Sequence, residues 1–300
     1  MELVQTSRSR FFDGDAQPGS ELAIALERVT TPDGKEEWAM LRRVGYRDRH
    51  LGDEPHQWLI VPAKAIQDPP DPKDRFTTDL TSVPQLFTWL VPKSGTHLPA
   101  ALLHDGLISD GARIEHDGPA VTRLEADRIF RDAMADLDTP LLQRWIIWTA
   151  VTLASVGSLK SKLLAVVMYA GLAVVGVLGY LATLDLFDQI DVLFWMGDRR
   201  WELELAFGLL GALMVPLLVC LPWALARLYR AGWIAGWAIA VLFHVTLAVG
   251  AVTVGYQLSE WAAQKVTGQG RPVDPKPAFV GLACLGALAL VTVWLCSRNP

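Results

Sequence analysis

Cysteine is scarce in this sequence. The chain of 300 residues contains three, Cys220, Cys284 and Cys296, all inside apolar runs toward its C-terminal end. None has the spacing of a disulfide framework or a zinc site, and the N-terminal half has none, which suits a cytosolic compartment. A basic surface is missing too. From Leu163 onward eight acidic residues balance eight basic ones, so residues 1–162 hold 24 acidic against 19 basic and the whole net charge of −5. That excludes a nucleic-acid partner, which needs a basic footprint, and charge alone would not hold such a domain on anionic lipid. The opening segment MELVQTSRSRFFDGD has no apolar core of signal-peptide length, so secretion by cleavage is not expected.

Charge itself is what the second half lacks. Leu163–Leu184, Leu203–Ala226, Trp233–Tyr256 and Ala278–Cys296 are almost uncharged, and each is long enough to cross a hydrocarbon core of ~30 Å. Four transmembrane helices are therefore expected, with Glu204 near an interface. Arg144, Lys160, Lys162, Arg227, Arg230 and Arg298 fall on one side of such a bundle, and Arg199, Arg200, Lys265, Arg271 and Lys276 on the other. The bias is slight. Because a folded N-terminal domain is hard to translocate, both termini are placed in the cytoplasm. Within the spans, His244 is expected to bond a neighbouring helix, Pro216 and Pro222 to kink the second span, and Gly232 and Gly236 to permit close helix packing. Asp185, Asp188, Asp191 and Asp198 form an acidic, solvated loop.

The first half is an α+β pattern. Residues 1–20 are polar and expected as a flexible arm. Three short strands follow in LAIALERV, EWAMLRRVGY and QWLIVPA, with Asp33-Gly34 as a turn between the first two. IQDPPDPKD breaks regular structure. Four helices come next: a short one starting near Pro84, LPAALLHDGLI, a longer one with Ala126, Ile129, Phe130, Ala133 and Leu137 as its apolar stripe, and LLQRWIIWTAVTLASVG after a cap at Asp138-Thr139-Pro140. The last is expected to pack or to lie at an interface rather than to span. The domains are thus an arm (1–20), a soluble α+β domain (21–158) and a membrane domain (159–300).

His104 and Asp105 stand side by side in an apolar helix, where an unpartnered carboxylate would cost several kcal/mol or lose its charge. Asp127, one helix further on, flanks its apolar stripe and can approach His104 if the two helices pack together. A carboxylate on one imidazole nitrogen fixes the tautomer and leaves the other to take a proton from water. Asp105 points about 100° away and is expected to bind a hard cation. The bland alternative is a buried polar network pinning the helix to TDLTS. His97 is expected exposed, and His116-Asp117 to be solvated in a glycine-flanked loop.

The pattern of His104, Asp105, Asp127, Phe130 and Met134 resembles the secreted calcium-dependent phospholipases. That resemblance implies His104 as general base toward water, Asp105 as calcium ligand and Asp127 as orienter. The family's Tyr four residues after the His is Ile108 here, and its disulfides and glycine-rich calcium loop are absent. A longer resemblance covers roughly residues 20–157. TDLTSVP at Thr78–Pro84, then the His-Asp pair, then E-A-D-x-x-F is similar to a phage and bacterial family, domain of unknown function number thirteen-fifty-three. It implies that Asp79 and Ser82 join His104, Asp105 and Asp127 in one site, Ser82 on the catalytic side and Asp79 as a metal ligand. Where that family has Y-L-Y after the pair, this chain has Gly106-Leu107-Ile108.

Two functions follow. One is a metal-dependent hydrolase at the inner or plasma membrane of a bacterium, acting on membrane lipid with calcium as the favoured divalent cation. The other is a non-enzymatic, membrane-tethered binding or adaptor module of phage-related origin, whose soluble domain takes a protein partner.

Overall fold

The run EWAMLRRVGY does not form one strand in the computed structural model of the protein, which describes residues 10–16, 20–30, 36–52, 54–67, 75–78, 80, 95–108, 115–186, 200–267, 276, 279–283 and 286, with backbone alone at 36 and 243–247. The run is divided at Arg42-Arg43. A continued strand would send the two guanidiniums to opposite faces. The break lets Arg42 pair with buried Asp13, and Arg43 with Asp117 and, through Nε, the Pro62 carbonyl at 2.9 Å.

Six strands are described where three were expected: β1 (Phe11–Asp13), β2 (Leu26–Thr30), β3 (Glu36–Met40), β4 (Val44–Tyr46), β5 (Leu59–Val61) and β6 (Thr77–Thr78). They form two antiparallel sheets, β1-β4-β5 and β2-β3-β6. Strand β1 lies inside the expected flexible arm, yet it is buried. Phe11 packs on Tyr46 with ring centroids 4.7 Å apart, and Phe12 on Trp58 at 5.1 Å. Burying each ring is worth roughly 2–3 kcal/mol, enough to hold a short strand that has no polar alternation.

The helices of the same half are α1 (Lys64–Gln67, one turn), α2 (Leu98–Leu107), α3 (Arg123–Asp136) and α4 (Leu141–Val156). The short helix expected near Pro84 lies outside the described residues. Helix α3 opens on a capping box: the Glu125 amide donates to Thr122 Oγ1 at 3.3 Å and the Thr122 amide to the Glu125 carboxylate at 2.8 Å. The Thr122 amide, then its hydroxyl, hold the Glu125 carboxyl below the usual range. Ala126, Ile129, Phe130, Ala133 and Met134 are its buried face. Asp138, with φ +53°, turns the chain into α4.

Polar contacts clamp α3 to the strand region. Arg128 donates from both terminal nitrogens to fully buried Asp48, at 3.0 and 2.9 Å, and Tyr46 donates to Asp136 at 2.8 Å. Burial opposes the Asp48 charge, but the Arg128 hydrogen bonds and charge outweigh it and hold the carboxyl below its ordinary range. Arg128→Ala strands that charge, and breaking such a pair costs about 3 kcal/mol. Amides of α3 in the full chain should then exchange with solvent about a hundredfold faster. Since the folded group titrates below the unfolded one, the pair's contribution is complete above the unfolded carboxylate range near pH 4 and is lost as pH falls through the folded value. Wild type and Arg128→Ala should therefore converge in stability in acid.

The chain divides into two units, Met1–Lys160 and Ser161–Pro300. In the second, α5 (Lys162–Leu186) and α6 (Trp201–Val219) are helices long and apolar enough to cross a membrane. Helix α6 leaves Leu203, Phe207, Leu209, Leu210 and Leu218 exposed, a surface that water does not favour. It ends seven residues short of the expected span, because Pro222 follows and Leu221–Ala226 wind into a 3-10 turn. The segment expected as a third span lies within α7 (Tyr229–Thr267), 39 residues of continuous helix. Most of the expected fourth span, the side chain of His244 and most of the acidic loop lie outside the described residues.

Gly232 and Gly236 do what their spacing suggested. A Cβ at Gly232 would strike the Trp223 indole, and one at Gly236 would sit 2.8 Å from Pro216 Cβ. Gly232→Leu should therefore lower the melting temperature of the detergent-solubilised chain by several degrees, as overpacking of about 1–3 kcal/mol does. Gly208→Leu, which meets no neighbour among the described residues, should leave it unchanged.

Candidate active site

Successive residues on α2 face different partners. His104 turns toward α3, where its Nε2 lies 2.9 Å from Asp127 Oδ1. Both are buried, at 6% and 2% relative exposure. Phe130, one turn beyond Asp127, stacks on the imidazole with centroids 4.8 Å apart and planes inclined by 29°. An ionised carboxylate only accepts hydrogen bonds, so this contact puts the imidazole proton on Nε2 and makes Nδ1 the basic nitrogen. Asp127 Oδ2 is buried with no hydrogen-bond partner among the described residues. Such an oxygen costs about 1–3 kcal/mol.

Asp105 faces the other way. Its Oδ2 accepts from the Thr78 hydroxyl at the end of β6, and the same hydroxyl oxygen accepts from the Leu80 amide at 2.9 Å. Leu80 has φ +72°, a left-handed conformation that costs a branched residue roughly 1–2 kcal/mol. The TDLTS segment is thus tied to the His-Asp helix through Thr78. That residue belongs to the motif but was not singled out from sequence, where the charged Asp79 beside it drew the assignment. Asp79 and Ser82 lie outside the described residues.

Two histidines differ from expectation. His97, expected exposed, is wholly buried at the start of α2, with Gly95 against its ring. The adjacent hydroxyls of Thr96 and Thr139 approach to 3.5 Å. His116, expected solvated, is also buried; its Nε2 lies 3.1 Å from the Pro119 carbonyl and its Nδ1 3.3 Å from that of Gly106. Asp117 bridges to Ile60 and accepts from the Lys64 amide at 3.1 Å. The cause is Gly118: at φ +117° it presses on the Trp58 carbonyl, where a Cβ would collide. The loop therefore clips onto β5 and supports the end of α2.

Gly106 explains how closely α2 approaches β5. A Cβ there would fall among both methyl groups and the Cβ of Val61, so this helix position has no room for a tyrosine. For a cation, Asp105 and Thr78 supply two oxygen-bearing side chains, whereas calcium takes six to eight oxygens. Among the described residues no three His, Cys, Asp or Glu side chains are grouped to hold a metal. The described donors do not by themselves fit calcium.

No curated protein and no solved structure matches the chain. A family model described as "Protein of unknown function (DUF1353)" matches residues 68–151. That segment contains Thr78, Asp79, Ser82, His104, Asp105 and Asp127 together, and it belongs to this family of proteins of unknown function.

Proposed function

We propose that the protein is a membrane-tethered hydrolase in which His104 is the general base. The observation that carries this is the buried His104–Asp127 contact at 2.9 Å beneath the Phe130 ring. Asp127 fixes the tautomer, and His104 Nδ1 withdraws a proton from water as the water attacks an ester carbonyl or phosphorus. Asp127 then stabilises the imidazolium, and the proton passes to the leaving oxygen. Thr78 holds Asp105, and Ser82 and Asp79 of the same sequence motif complete the site in this proposal. Phospholipid is the substrate class we favour, because the same chain carries helices suited to a bilayer. In this proposal four helices span the membrane, the third within α7, and both termini face the cytoplasm of a bacterium.

The test is hydrolysis of phospholipids and soluble phosphoesters by the full chain in mixed micelles. Turnover by wild type that disappears in His104→Ala supports the proposal; an equal rate in the two sinks it. Calcium held by Asp105 and Asp79 is a separable part of the proposal. It is checked by melting wild type and Asp105→Asn with calcium, manganese and zinc, since a ligand specific to the folded state raises its stability.

A second reading, a non-enzymatic binding or adaptor module, draws on the Thr78–Asp105 contact. That contact satisfies the Asp105 carboxylate as a structural pin would. Under this reading His104→Ala changes stability alone.

A further inference from the structure

The outer face of α4 carries no charge. Leu142, Ile146, Ala150 and Ala154 recur at four-residue steps and so line one side of the helix. Leu142 is 76% exposed; Ala150 and Ala154 are exposed, and Ile146 is partly so. Trp148, Thr152, Ser155 and Val156 are buried on the other side. A helix facing water carries charged residues on its outer row. An apolar row in that place marks a surface with a partner.

The chain itself indicates which partner. Residues 157–161 lead directly into α5, whose segment Lys162–Asp185 is long and apolar enough to cross a membrane. Five extended residues reach about 18 Å, less than the ~24 Å length of α4 itself. The end of α4 is therefore tethered within about 18 Å of the start of α5. Lys160 and Lys162 flank the junction and complement anionic headgroups.

We infer that α4 is an interfacial helix, with Leu142, Ile146, Ala150 and Ala154 seated at the headgroup–acyl boundary of the leaflet that α5 enters. Helices that bury one apolar side bind bilayers in this way. The inference rests on the membrane reading of α5 and is independent of the hydrolytic one. Its partner is lipid, and its effect is to hold the domain that contains His104 at the bilayer surface.

The experiment uses the full chain in vesicles of phosphatidylcholine and phosphatidylglycerol. Cys220, Cys284 and Cys296 are replaced by Ala, and a fluorophore is attached at Leu142→Cys, Ile146→Cys or Ala150→Cys. Val174→Cys, on an exposed position of α5, reports the membrane reading. Lys64→Cys, exposed on α1, reports water. Nitroxide lipids should quench the α4 probes and Val174 at least twofold and leave Lys64 unchanged. Quenching at Val174 with α4 probes that behave like Lys64 overturns the inference and leaves the membrane reading standing. Loss of quenching at Val174 as well removes both. A benzophenone amino acid at position 142 of the chain with native cysteines tests the same contact by crosslinking: a phospholipid adduct supports the inference, and an adduct to a second copy of the chain overturns it.

Discussion

Under the proposed hydrolytic role, Asp127→Asn is expected to slow hydrolysis by the full chain about a thousandfold while leaving it as stable as wild type, or more so. The carboxylate at 2.9 Å from His104 Nε2 only accepts, and so keeps Nδ1 unprotonated and basic. An asparagine either turns its NH2 toward Nε2, which places the imidazole proton on Nδ1 and blocks the base, or turns its carbonyl there, which keeps the tautomer but removes the charge that steadies the imidazolium. Either way a general-base contribution of about 10²–10⁴ is weakened. Stability moves the other way because Asp127 Oδ2 is a buried acceptor with no partner among the described residues. Asparagine leaves an unpartnered amide atom in that place but no buried charge, and a charge is costlier to desolvate than a neutral group. Initial rates on phospholipid micelles and a thermal melt, run on the same preparation, give both quantities. A purely structural His104–Asp127 pair predicts no turnover in wild type for Asp127→Asn to slow.

Gly106→Tyr is expected to prevent accumulation of folded protein, and Gly106→Ala to cost about 1–3 kcal/mol. Elsewhere in a helix, Gly→Ala gains nearly 1 kcal/mol. Here the sign reverses because the new Cβ meets both methyl groups and the Cβ of Val61, and a β-branched side chain cannot rotate all three away. Val61→Ala should restore most of what Gly106→Ala loses, so the double variant melts above the Gly106→Ala single variant. Strong coupling between two positions in contact is the measurable signature. In this chain α2 sits against β5 at glycine distance.

The legible features were those set by local pattern. A polar pair inside an apolar helix implied a third residue, and the flank of the next helix supplied Asp127, now seen at 2.9 Å. Uncharged length identified α5 and α6. The features that stayed hidden depend on contacts distant in sequence. Strand β1 has adjacent phenylalanines, both buried, so it shows no alternation, and each ring is held by a residue more than thirty positions away. His116 sits in a Gly-flanked stretch that looks solvated, but Gly118 folds it against β5 and α2. The division of EWAMLRRVGY needed knowledge of where Asp13 and Asp117 lie. Thr78 was overlooked because a hydroxyl is weaker as a sequence signal than the aspartate beside it.

Helix α7 has a mechanical consequence. Thirty-nine residues of unbroken helix measure about 58 Å, nearly twice the thickness of a hydrocarbon core. In the proposed topology, with Trp233–Tyr256 in the bilayer, the stretch from Gln257 to Thr267 would project into water as a stiff boom. A change of tilt of about 20°, well within the range helices adopt in bilayers, swings its tip sideways by several ångströms without breaking a backbone hydrogen bond. A load on that tip is therefore transmitted as a rotation of the packed face, where Gly232 and Gly236 meet Trp223 and Pro216.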